Sequence, residues 1–157
     1  MKKRCFILLF IILSVLLASC GKPKEEVLFS RDLEEDTPVY ASIAEIEPKY
    51  GWSDTRTGEL RSLICESKTE DGTVVWLNIP AGTFNSAFPQ ARDTGVMGSI
   101  MGSVSIGNTK YFNQIDLEEP VLIHGTVEVW EEGKPEYDIP AGEHGVRVQS
   151  VDAPKSS

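Results

Sequence analysis

The stretch Val121 to Trp130 reads V-L-I-H-G-T-V-E-V-W, and its period of two is the strongest constraint on this chain. Val121, Ile123, Val127 and Val129 fall on one side with Gly125 among them; His124, Thr126 and Glu128 fall on the other. Successive side chains of a strand point to opposite faces, so this run is a strand with one buried and one wet face. Val146 to Val151 alternates in the same way. Leu60–Ile64 and Thr73–Ile79 flank T-E-D-G, a hairpin signal with Asp71-Gly72 at the turn. Val39 to Ile46 reads as a first strand, stopped by Pro48. Five strands result, and the chain is expected to be mainly β.

Their spacing is uneven. About 40 residues separate Ile79 from Val121, and structureless loops of that length are uncommon in compact domains. Tyr111, Phe112 and Ile115 have helical spacing and predict a short helix there. Three strands, a helical segment and two more strands resemble the order of an OB-fold barrel. The phrase Asp116-Leu117-Glu118-Glu119-Pro120 before V-L-I-H-G-T-V is similar to the fourth-strand entry of small bacterial OB-type domains. The resemblance implies a five-stranded barrel with a short helix, binding through one curved face and two loops. An immunoglobulin-like β-sandwich is the rival, and needs two further strands from Phe84–Phe88 and Val96–Ile106.

The N-terminus carries a different signal. Lys2, Lys3 and Arg4 precede an apolar run from Phe6 to Ala18 broken only by Ser14. That is the layout of a secretory signal peptide, too short for the ~20 apolar residues of a membrane span. Leu17-Ala18-Ser19-Cys20 then resembles the lipobox of bacterial lipoproteins. The resemblance implies that Cys20 receives a diacylglyceryl group and becomes the first mature residue, anchoring the chain outside the cytoplasm. Two acyl chains are what lasting anchorage needs. Gly21 in place of Asp leaves the outer membrane open to a cell that has two membranes. An ordinary signal peptide or an uncleaved anchor is the competing reading.

These boundaries organise the chain: signal peptide 1–19, lipidated Cys20 with a flexible tether to 37, one β domain over 38–152, and a frayed tail 153–157. Without Lys2, Lys3 and Arg4, 12 of the 15 basic residues remain against 24 acidic ones, a formal charge of −12. Such a surface repels phosphate backbones, which disfavours nucleic acid as a partner. Cys5 leaves with the signal, so Cys65 has no intramolecular disulfide partner and reads as a buried small hydrophobe between Ile64 and Glu66.

Tests for catalytic chemistry find little. The glycines of 95–107 make neither a phosphate loop nor G-x-G-x-x-G. Ser103-Val104-Ser105-Ile106-Gly107 lacks the first glycine of a nucleophile elbow, and a serine hydrolase would need His124 or His144 as base. The acidic pairs have no calcium-loop spacing and the two histidines form no local zinc motif; no cofactor is implied. Stacking aromatics remain: Tyr50, Trp52 and Tyr111 are the candidate ligand-binding residues, with Trp76 either beside them or in the core. Trp52 falls in a long loop between the first two strands, P-K-Y-G-W-S-D-T-R-T-G, that either exposes it or lets it cap the core. The chain thus reads as a tethered, non-enzymatic binding or scaffolding module for a protein or small-molecule ligand. A small cell-envelope hydrolase and a β-sandwich assembly protein are the alternatives.

Overall fold

The computed structural model describes residues 25–92, 103–106, 109–112 and 115–152. Cys20 with its lipobox, the glycine-rich 93–102 and the tail 153–157 lie outside the described residues. Among the described residues eight strands and one α-helix follow in chain order: β1 (Val27–Leu28), β2 (Pro38–Ser53), β3 (Leu60–Thr69), β4 (Val74–Pro80), α1 (Ala81–Ala87), β5 (Ser103–Ile106), β6 (Thr109–Phe112), β7 (Ile115–Trp130) and β8 (Glu143–Asp152). Single 3₁₀ turns occupy Pro89–Ala91 and Pro135–Tyr137.

Five of these strands close a ring. β2, β3 and β4 form an antiparallel meander, β8 lies parallel to β4, β7 is antiparallel to β8, and β7 returns to pair with β2. The expected small five-stranded barrel with a short helix is therefore the fold. The sandwich is not: Phe84 lies in α1, and Ser103–Ile106 pairs only with Thr109–Phe112 as a separate hairpin.

The alternation of the sequence becomes the inside and outside of the barrel. Val39, Ala41, Ile43 and Ile46 of β2, Leu63 and Cys65 of β3, Val75, Leu77 and Ile79 of β4, Val121, Ile123 and Val127 of β7, and Val146 and Val148 of β8 share one buried core. The β3–β4 turn forms where Asp71-Gly72 places it. Gly72 adopts φ +81°, the Gly72 N–H donates to the Thr69 carbonyl, and the Asp71 carboxylate accepts from the Thr73 N–H at 3.0 Å.

Four local expectations are corrected. Pro48 does not stop the first strand: it is paired with Cys65, and a register shift between Pro48 and Tyr50 carries β2 onward to Ser53. Proline is tolerated at such a bulge because the local ladder is already interrupted. Trp52 consequently stands on β2 and not in a loop. The helix of the long connection is Ala81–Ala87, not one starting at Tyr111, which lies in β6. There the apolar pair Phe84 and Phe88, one helical turn apart, meets the core. Finally, the chain joins the barrel before residue 38. β1 runs parallel to β2 through Val27↔Val39 and Leu28↔Tyr40, and Phe29 and Leu33 pack onto the core.

Both ends of the barrel are thereby plugged. α1 covers the end where β4 finishes, with Phe84 edge-on to Tyr111 at 5.4 Å between ring centroids. The segment 29–37 covers the end where β2, β4 and β8 begin. There Arg31 donates to the Val74 carbonyl at 3.1 Å and pairs with Glu143 at 3.3 Å, while the Asp36 N–H donates to the Val127 carbonyl at 2.9 Å.

Candidate functional site

The outer face of the barrel carries a second apolar cluster, separate from the interior. Ile64, Trp76 and Ile139 are its buried members, with Tyr50, Trp130 and Tyr137 packed around them. The registers explain how it assembles. Tyr50 of β2 lies opposite Ile64 of β3, Trp76 of β4 lies opposite Gly145 of β8, and Trp130 ends β7 opposite Glu143. Gly145 has no side chain, so the Trp130 ring lies across its place, and the Trp76 carbonyl closes the same space.

The β7–β8 connection, residues 131–142, folds over this face as a clasp. Its neck is closed by reciprocal backbone bonds: the Lys134 N–H donates to the Ile139 carbonyl at 2.7 Å, and the Ile139 N–H to the Lys134 carbonyl at 3.1 Å. The Tyr137 ring stacks on Tyr50 with 4.1 Å between centroids and 18° between planes. Burial pushes the Tyr50 phenol up to about 12, and its enclosed hydroxyl has no satisfied hydrogen bond among the described residues.

Two residues along β2 the surface opens. Trp52 is 52% exposed, and the Lys134 Nζ stands 5.6 Å from its ring centroid, a cation–π arrangement. The adjoining β2–β3 loop is held by Asp54, whose carboxylate accepts from the Arg56 N–H at 2.8 Å and the Thr57 N–H at 3.1 Å and meets Arg61 at 3.1 Å. Those backbone donors first, and Arg61 after them, hold the Asp54 carboxyl below the usual carboxylate range. An exposed indole with a cation above it therefore sits on a strand between two braced loops, the β2–β3 loop and the clasp.

The three candidate aromatics are not brought to one face. Tyr50 and Trp52 share the outer surface, Tyr50 half-buried under Tyr137. Tyr111 is 1% exposed inside the core, its hydroxyl donating to Asn85 Oδ1 at 3.3 Å. Its ring is closed to any ligand. Trp76 belongs to the outer cluster and is buried there. Tyr137, Ile139 and Lys134 are the residues that sequence reasoning passed over. Of these only Ile139 had a signal in the sequence, the echo of N-I-P-A-G (Asn78–Gly82) in D-I-P-A-G (Asp138–Gly142). After β4 that phrase opens a helix; after β7 it returns the clasp to β8.

Burial and pairing occupy two of the reactive side chains. Cys65 is fully buried, and burial pushes its thiol far up. His124 holds a carboxylate at each ring nitrogen, Glu26 at Nδ1 and Asp152 at Nε2, so neither nitrogen is free to act as a base for Ser105. The described residues contain no group of three or more side chains able to hold a metal ion. Outside the barrel, Lys49 lies between Glu47 and Glu66 at 2.7 and 3.3 Å, and Lys68 pairs with Glu45 at 2.9 Å. Cross-strand charge is thus spent within the β2–β3 surface.

Two clefts lie elsewhere. One of about 310 Å³ opens where β2 changes partner from β1 to β3, between Leu28, Phe29, Ala41 and Ser42 on one side and the β3–β4 turn on the other. The second, of about 520 Å³, separates the Gly82–Ala87 side of α1 from Gln149–Val151 of β8. Comparison of the chain with protein-family models, with curated proteins and with solved structures finds no match.

Proposed function

We propose that this chain is a membrane-tethered, extracytoplasmic lipoprotein whose barrel is a non-enzymatic binding or scaffolding module. The tethering half rests on Leu17-Ala18-Ser19-Cys20 behind a basic and then an apolar stretch. Seven residue steps separate Cys20 from Val27, where β1 begins. At about 3.3–3.6 Å per residue, a lipid on Cys20 would hold the barrel within about 25 Å of the headgroups. The acidic surface keeps it from lying down on anionic lipid.

The binding half is carried by one observation, the exposed Trp52 with Lys134 above it. Large exposed aromatics on rigid supports are the anchors that dominate binding surfaces. Lys134 adds selectivity for a partner that brings a carboxylate beside an apolar group.

Two measurements test this reading. Intact mass of the membrane-extracted protein is expected to show a chain beginning at Cys20 with a diacylglyceryl group; Cys20→Ser is expected to abolish both the modification and membrane retention. A wild-type chain cut elsewhere, or a serine variant that stays anchored, refutes the tethering half. A photo-reactive residue at position 52 is expected to give a discrete crosslinked product in cells, and the same residue at Gln149 none. Equal or absent crosslinking at the two positions removes the case for Trp52.

A further inference from the structure

His124 stands on the outward face of β7, where the root of the N-terminal segment and the end of β8 meet. We propose that His124 is a pH-operated latch: protonated, it holds Glu25–Leu28 on the barrel, and neutral, it lets that segment lift. Glu26 Oε2 lies 2.7 Å from Nδ1, and Asp152 Oδ2 lies 3.3 Å from Nε2. A neutral imidazole carries one N–H and can donate to only one of these carboxylates, whereas an imidazolium donates to both. On deprotonation a ring lone pair is left facing a carboxylate.

The surroundings reinforce the proton. Glu26 faces the ring from the N-terminal segment, Asp152 and uncharged Ser150 from β8, and the Tyr40 phenol from β2. Along β7 the residues on the same face are Leu122 and Thr126. The only charges paired with the ring among the described residues are thus the two carboxylates. The Glu26 hydrogen bond raises the His124 pKa above its ordinary 6.5, partial burial opposes it, and the charges of Glu26 and Asp152 add to the rise. A pKa raised by folding gives stabilisation that is complete below 6.5 and is lost as pH climbs through the raised value.

Among the described residues little else holds this piece of chain: β1 has two residues, paired with them along one edge only, with Val27 41% and Leu28 61% exposed. The Phe29 N–H donates to the Tyr40 carbonyl at 2.9 Å. That bond continues the β1–β2 pairing and is broken when the segment lifts; beyond it the chain is fixed by the Phe29 and Leu33 side chains in the core and by Arg31 and Asp36. Lifting Glu25–Leu28 uncovers the β2 edge at residues 39–40 and removes the Leu28 wall of the 310 Å³ cleft. The latch does not depend on the lipid. If Cys20 is anchored, release also lengthens the free tether.

The test uses the full-length chain in detergent micelles. The His124 ring is titrated by NMR, and exchange protection of the Phe29 amide is read at pH 5.5 and 8.5 after correction for intrinsic exchange. The expected midpoint lies above 6.5 and returns toward it in Glu26→Gln. Phe29 protection is expected to fall about threefold or more between the two pH values, while the Val127 amide, bonded to the Thr37 carbonyl, keeps its protection. In Glu26→Gln, Phe29 is expected to be weakly protected at both. A native midpoint at or below 6.5, unchanged Phe29 protection, or a parallel loss at Val127 each overturns the latch. None of these readouts depends on the state of Cys20.

Discussion

Gly125→Ala is expected to destabilise the barrel by about 4 kcal/mol or more, a large share of the roughly 5–15 kcal/mol available to a domain of this size. The cause is a backbone collision. The β7–β8 ladder slips by one residue between His124 and Gly125, so that His124 faces Ser150 while Gly125 faces Val148. The slip brings the Arg147 carbonyl against Gly125. A Cβ there would stand 2.9 Å from the Arg147 carbonyl carbon and 2.9 Å from Val146 Cγ1, and closer still to the carbonyl oxygen. Neither obstacle is the far end of a flexible side chain, so relief requires parting the two strands that complete the ring. Urea denaturation is the measurement. A variant within about 1 kcal/mol of the parent would show that the ladder can shift there without loss.

Phe84→Ala should follow closely, at about 3–5 kcal/mol. Phe84 is fully buried and touches Phe88 at 5.2 Å and Tyr111 at 5.4 Å between ring centroids. It is the part of α1 that fills the end of the barrel, so its loss leaves a void bordered by two aromatic rings that are themselves held by it. Because α1 has seven residues and no side-chain cap, its own hydrogen bonds cannot keep it folded without that anchor. Thermal unfolding with far-UV and near-UV circular dichroism distinguishes a lowered midpoint from a loosened aromatic plug. A shift of under about 1 kcal/mol would show that the barrel end is closed by other residues.

The barrel was legible because its strands alternate cleanly. Val121, Ile123, Gly125 and Val127 point inward as their spacing requires, and Asp71-Gly72 turns where turn chemistry places it. What escaped was non-local. Pro48 reads locally as a stop, yet a bulge whose register is set by β3 lets the strand pass. Tyr111 has helical neighbours in sequence, but its burial under Phe84 and its pairing with Val104 decide for a strand. The candidate site was half visible. Trp52 was correctly suspected of exposure, although on a strand, while Tyr137 and Ile139 lay hidden in a polar stretch between Glu131 and Gly142 with no periodicity to mark them. Their partners, Tyr50, Ile64 and Trp76, are 60 or more residues away, and no local pattern encodes such a meeting.

The meeting of Glu26 and Asp152 on one histidine also has a mechanical meaning. The Glu26 and Asp152 side chains reach the same imidazole although β2 and β7 lie between β1 and β8. Tension between a point before Glu26 and a point after Asp152 is therefore applied across the width of those strands, not the length of the molecule. Under such a pull the two-residue β1 yields first, one backbone pair at a time. The slack it releases acts as a short extensible leash, and the closed ring bears load only once that leash is drawn straight.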